Sequence, residues 1–156
     1  MTLIDFQVPL KAVRADPSVG KVDLVGITDR VVVCELKIGR PAGGGDTPLA
    51  ALLEALSYAA IVEANYSRIS SECRFLDLKP THSRPGLVVL GDLPYWKYWD
   101  YPPAARGWRP ALVELIERIE ESIGLNTWVA AVPHEWEKIS SGPIRLTDPL
   151  IDQPRP

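Results

Sequence analysis

KVDLVGITDRVVVCELKI, residues 21–38, contains two runs rich in β-branched residues, KVDLVGI (21–27) and VVVCELKI (31–38), separated by Thr28, Asp29 and Arg30. Such runs around a short polar interval predict a β-hairpin. Side chains alternate faces along a strand, so Glu35 and Lys37 share a face with Val31 and Val33. Asp23 joins them in only one register. The odd loop Thr28-Asp29-Arg30 pairs Ile27 with Val31, Val25 with Val33 and Asp23 with Glu35. A two-residue loop would pair Asp23 with Leu36 and send its carboxylate to the opposite face. The odd register is the expectation.

Upstream, TLIDFQVPLKAVR (2–14) reads as an extended strand interrupted near Pro9, and DPSVG (16–20) as a turn. Downstream, GRPAGGGDTP (39–48) is a connection whose Asp46 or Thr47 suits a helix cap, with Pro48 fit for the first turn. LAALLEALSYAAIVEAN (49–65) predicts a helix, with Leu49, Leu52, Leu53, Leu56, Ala60 and Val62 at helical spacing. Residues 66–85 carry little periodicity, with a short strand expected around Arg74–Leu78. PGLVVLG (85–91) reads as a buried strand and LPYWKYWDYPP (93–103) as an aromatic segment flanked by proline. WRPALVELIERIEESIG (108–124) is an amphipathic helix ending at Gly124, and NTWVAAVP (126–133) another buried strand. The order predicts one α/β domain over residues 1–150, a mixed sheet with helices covering its faces, and an irregular tail over 151–156.

A chain of 156 residues, 46% hydrophobic and 24% charged, can bury a real core. No apolar run approaches a bilayer span of about 18 residues. The start, MTLIDFQVPL, lacks the pattern of a signal peptide, so the expected compartment is cytoplasmic. Cys34 and Cys73 make no disulfide framework, and Cys34 within VVVCELK reads as a small buried hydrophobe. His82 and His134 stand apart from any cysteine pair, which argues against zinc. The net charge of −3 argues against binding long nucleic acid by charge alone. Contact with nucleic acid would need a local patch, a bound divalent metal, or another domain or subunit.

Two carboxylates facing each other repel unless a proton or cation lies between them. Mg²⁺ takes oxygen ligands, commonly one or two carboxylates with water and phosphate. Asp23, Glu35 and the Leu36 carbonyl would supply such a partial shell. Lys37 would hold an attacking water or steady charge on the phosphate. At this point Lys21 to Asn65 resembles the PD-(D/E)XK nuclease superfamily, the restriction-endonuclease-like fold. The likeness rests on Asp23, on Glu35-Leu36-Lys37 in the next strand, and on a following helix where Glu54 and Tyr58 repeat a supporting Gln-three-Tyr spacing. The resemblance implies Mg²⁺ or Mn²⁺ on Asp23 and Glu35, with Lys37 assisting phosphodiester hydrolysis in DNA or RNA. Val22 stands where the family has Pro, and Glu54 where Gln is frequent. The family core usually opens with a helix bearing a supporting acid, whereas this chain opens in a strand. The expectation is an upstream extension, or a partner subunit, that supplies that element.

Plainer readings stand beside these. Glu35 and Lys37 could form an exposed ion pair worth about 0–1 kcal/mol, and Glu54 and Tyr58 a helix-surface pair. Tyr95, Trp96, Tyr98, Trp99 and Tyr101 could stack bases around Lys97, or seal a core edge or an interface. Arg40 is a candidate phosphate contact, or a solvated loop residue; GRPAGGGD lacks P-loop spacing. The competing functional class is a catalytically silent α/β domain that binds protein or nucleic acid, with homo-oligomerisation as one form of partnership.

Overall fold

In the structure, a computed structural model that describes residues 1–10, 20–39, 45–99 and 107–132, the chain runs through nine elements. They are β1 (Thr2–Pro9), β2 (Lys21–Ile27), β3 (Arg30–Lys37), α1 (Pro48–Ala64), α2 (Tyr66–Phe75), β4 (His82–Asp92), α3 (Leu93–Tyr98), α4 (Trp108–Ile123) and β5 (Thr127–Val132). Arg40, Tyr101, His134, most of the 16–20 turn and the 151–156 tail lie outside the described residues. The five strands form one sheet in sequence order. β1, β2 and β3 are antiparallel neighbours, whereas β3–β4 and β4–β5 are parallel. Helical crossovers precede each parallel partner, as parallel pairing requires. The architecture is α/β with a mixed sheet.

β3 is central, and its run from Val31 to Glu35 is buried throughout. A strand covered on both faces favours a near-continuous apolar run over alternation. The hairpin adopts the odd register, with Ile27 opposite Val31 and Val25 opposite Val33. Asp29 braces the turn by accepting from the Arg30 guanidinium at 3.1 and 3.2 Å and from the Thr28 hydroxyl at 2.9 Å. Those two donors hold its carboxyl down at about 2.

α1 starts where the cap chemistry predicts. Thr47 accepts from the Ala50 amide at 3.1 Å, and Pro48 occupies the first turn. Its packed stripe differs from expectation. Leu49 and Leu53 are half exposed, while Ala51, Leu52, Ala55, Tyr58, Ala59 and Val62 are buried. The alanines let the helix backbone approach the sheet, so the small side chains turn inward and two leucines turn out. Leu52 is fully buried against Leu87 and Val89 of β4 and Leu112 of α4. Leu52→Ala is expected to cost about 2–5 kcal/mol, read as a lowered midpoint in urea with an unchanged slope.

Two other expectations are corrected. The strand expected around Arg74–Leu78 is instead the end of α2 and a turn, with Asp77 at φ +56°. Ser70 and Cys73 supply the buried side of this mostly polar helix, a pattern too sparse to read as periodicity. The segment from Leu93 is helical, not merely aromatic: Asp92 caps α3 by accepting from the Tyr95 amide at 2.7 Å. Tyr95 and Trp96 are buried, Trp96 donates to the Ala130 carbonyl at 3.1 Å, and its ring stacks on Trp108. The buried residues beneath α1 and α4 are Leu87, Val89 and Ala131, and beneath α1 and α2 Val31 and Val33. Register sets Val33 beside Leu87 and Gly91 beside Ala131, so among the described residues α1, α2 and α4 pack on the same face of the sheet.

Candidate active site

The site forms where β2 and β3 reach the N-terminal half of α1. The paired residues of the hairpin end at Leu24 and Cys34, and Asp23 and Glu35 follow directly beyond them on their strands. One Asp23 oxygen accepts from the Leu36 amide at 2.9 Å, and the other from the Gln7 side-chain amide at 2.8 Å. Asp23 is therefore tied to β3 through the Leu36 backbone amide and to β1 through Gln7.

Glu35 is only 3% exposed. Its Oε1 lies 2.6 Å from the Lys37 ammonium, while its Oε2 is buried with no hydrogen-bond partner among the described residues. A buried carboxylate oxygen without a donor is costly, and a proton shared between Glu35 and Glu54 relieves part of that cost. Burial pushes the Glu35 carboxyl up and outweighs the Lys37 contact that pulls it down; the charges of Asp23 and Glu54 add to the rise, to about 7.

Lys37 is shared. Besides Glu35 it meets Asp46 at 2.8 Å and Glu54 at 3.1 Å. Burial opposes its charge, but these three carboxylates hold its ammonium well above the usual lysine range. Glu54 in turn accepts from the Tyr58 hydroxyl at 2.8 Å. Burial raises the Glu54 carboxyl, yet the Tyr58 and Lys37 donors, with the proton it can share with Glu35, bring it below its ordinary value. Burial, then the Glu54 acceptor, pushes the Tyr58 phenol up. The helix-surface reading of Glu54 and Tyr58 therefore fails: α1 turns both toward the strand pair. Gly20 makes room for this, because a Cβ there would collide with the Tyr58 oxygen.

Three carboxylates, Glu35, Asp46 and Glu54, thus surround one ammonium, and the charge of Asp23 also acts on Glu35, an arrangement that attracts a further cation. Among the described residues no set of three or more His, Cys, Asp and Glu side chains is grouped for a metal. The oxygens present are the unpartnered Glu35 Oε2 and the Asp23 carboxylate, whose charge acts on Glu35. That set suits Mg²⁺ or Mn²⁺, which retain waters.

Lys97 is exposed on α3 and shares no described hydrogen bond or ion pair with this group. Among the described aromatics of this segment, Tyr95 and Trp96 belong to the core and Tyr98 is exposed. Sequence reasoning missed three participants. Asp46 is a partner of Lys37 rather than the cap, and Tyr95 donates to its carbonyl at 3.1 Å. Gln7 gave no signal, since only the β1–β2 pairing brings it to Asp23. No family model, curated protein or solved structure matches the chain.

The pH dependence of stability has a definite sign. A carboxyl raised from 4.5 to about 7 binds its proton more tightly in the folded state. Its contribution is therefore complete below about pH 4.5 and is lost as pH rises toward 7, a change of up to about 3 kcal/mol. Glu35→Gln mimics the neutral form and removes that slope. Urea titrations at pH 4.5 and pH 8 are expected to show wild type losing stability relative to Glu35→Gln by this amount. Parallel behaviour of the two proteins would contradict the assignment.

Proposed function

We propose that the chain is a metal-dependent nuclease of the restriction-endonuclease-like kind, hydrolysing phosphodiester bonds in DNA, with RNA the second substrate class. The observation that carries this reading is the buried Glu35, one oxygen on Lys37 and the other unpartnered, beside an Asp23 tied to the backbone at Leu36. Asp23, Glu35 and the Leu36 carbonyl would hold Mg²⁺ or Mn²⁺. Such an ion, when bound, acidifies water and stabilises charge on a phosphate.

Lys37 has the role of orienting the attacking water or meeting charge that develops on the phosphate. Glu54 and Tyr58 hold its ammonium in place through their own hydrogen bond. With a net charge of −3, the chain draws its basic nucleic-acid surface from a second copy, a further domain or another subunit. Among the described residues no helix is long and apolar enough to cross a membrane. Both cysteines are free and buried, which fits a reducing, cytoplasmic setting. For the competing reading, a silent binding domain, Tyr95 and Trp96 supply no surface, because they are buried within the chain's own core.

The test is a crystal soaked in Mn²⁺. Anomalous density between Asp23 and Glu35 is expected. Density elsewhere, or none in a soak that leaves these side chains ordered, would favour the silent domain.

A further inference from the structure

Gln7 is unusual in two independent ways. It lies within β1 at φ +52°, the left-handed region that non-glycine residues rarely occupy and that strands normally avoid. Its neighbours in β1 keep regular partners, Phe6 opposite Leu24 and Val8 opposite Val22, so the distortion falls level with Asp23. The same residue donates its side-chain amide to Asp23 Oδ1 at 2.8 Å. Backbone outliers persist where surrounding structure holds them, and they concentrate at functional sites.

We propose that Gln7 is a positioning residue for Asp23, clamping the carboxylate between β1 and the backbone of β3 while leaving its charge free for a cation. The inference rests on the proposed metal site. The chemistry of the donor matters. A lysine or arginine at position 7 would orient Asp23 equally well but would supply a positive charge in place of the metal's. An amide orients without neutralising and does not titrate. With Oδ2 on the Leu36 amide and Oδ1 on Gln7, both carboxylate oxygens are aimed, as groups behind a metal ligand commonly achieve.

Two readouts on the full chain separate this inference from the metal reading itself. The first is metal-free: hydrogen exchange of the Leu36 amide, which is bonded to Asp23, followed by NMR. The second is calorimetric titration with MnCl₂. In Gln7→Ala, Leu36 is expected to lose protection about 10-fold while Val33 keeps its own, and Mn²⁺ affinity to fall about 10-fold. Gln7→Gly, which tolerates the left-handed backbone, should show the same two losses with an unchanged or higher melting temperature. That combination is not produced by a merely structural glutamine. Unchanged Leu36 protection in both variants would overturn the clamp. Loss of protection spread evenly over β2 and β3 would also overturn it, as a fold effect. If wild type takes up no Mn²⁺, the metal reading fails while the Leu36 result still decides the clamp.

Discussion

Asp23→Asn and Glu35→Gln are each expected to abolish Mn²⁺ binding and to lower phosphodiester cleavage more than about 100-fold, beyond the usual range for residues outside the metal's own shell. Both changes preserve shape. In Asp23→Asn the new side-chain carbonyl can still accept from the Leu36 amide, and in Glu35→Gln a polar atom stays within reach of Lys37. Folding should therefore survive, so the loss reports chemistry and not collapse. The decisive measurement pairs calorimetry with Mn²⁺ and cleavage of single- and double-stranded DNA and of RNA, with circular dichroism as the control for fold. Wild-type protein that folds, binds no Mn²⁺ and cleaves none of these substrates would sink the nuclease reading. Variants that cleave as well as wild type would instead move the active site elsewhere.

The second large effect is on stability. Lys37→Met removes the cation shared by Glu35, Asp46 and Glu54. Glu35 is then left buried without a counter-charge, and breaking a buried pair in this way costs about 3–5 kcal/mol. The cost should be largest near pH 8, where the Glu35 carboxyl of about 7 is ionised in the intact pair. It should shrink toward pH 5, where protonation removes the stranded charge. Adding Glu35→Gln to Lys37→Met should recover part of the loss, and a double-mutant cycle by urea denaturation measures that coupling. A cost under about 1 kcal/mol with no coupling would mean that Lys37 and Glu35 behave as an ordinary surface pair.

Much of this arrangement is legible from residues 21–38. The β-branched runs and the three-residue interval lead to a hairpin in the odd register, and Asp23, just beyond its last pair, bonds the Leu36 amide of β3. Thr47 and Pro48 mark the start of α1 by local hydrogen bonding and fixed φ, and Gly124 ends α4 at φ +62°. These are near-neighbour effects, carried by a few adjacent residues. The failures have another character. In α2 the buried positions are Ser70 and Cys73, which give little hydrophobic contrast, so the helix is held by what it packs against. The inward stripe of α1 follows the close approach to the sheet that its alanines permit, not the positions of its largest side chains.

The same division runs through the site. The amino-acid order alone determined the hairpin, the shared strand face of Glu35 and Lys37, and the spacing of Glu54 and Tyr58, because strand and helix periodicity are properties of local backbone geometry. Between the two registers it offered, the strand pairing decided for the odd one. Only the tertiary structure decided that Lys37 is ringed by Glu35, Asp46 and Glu54, that Glu35 is buried with one oxygen unpartnered, and that Gln7 reaches Asp23 from 16 residues away. Those contacts depend on β1 pairing with β2 and on α1 lying against β3. Burial and long-range pairing, which set the charge state of Glu35, are collective results of packing.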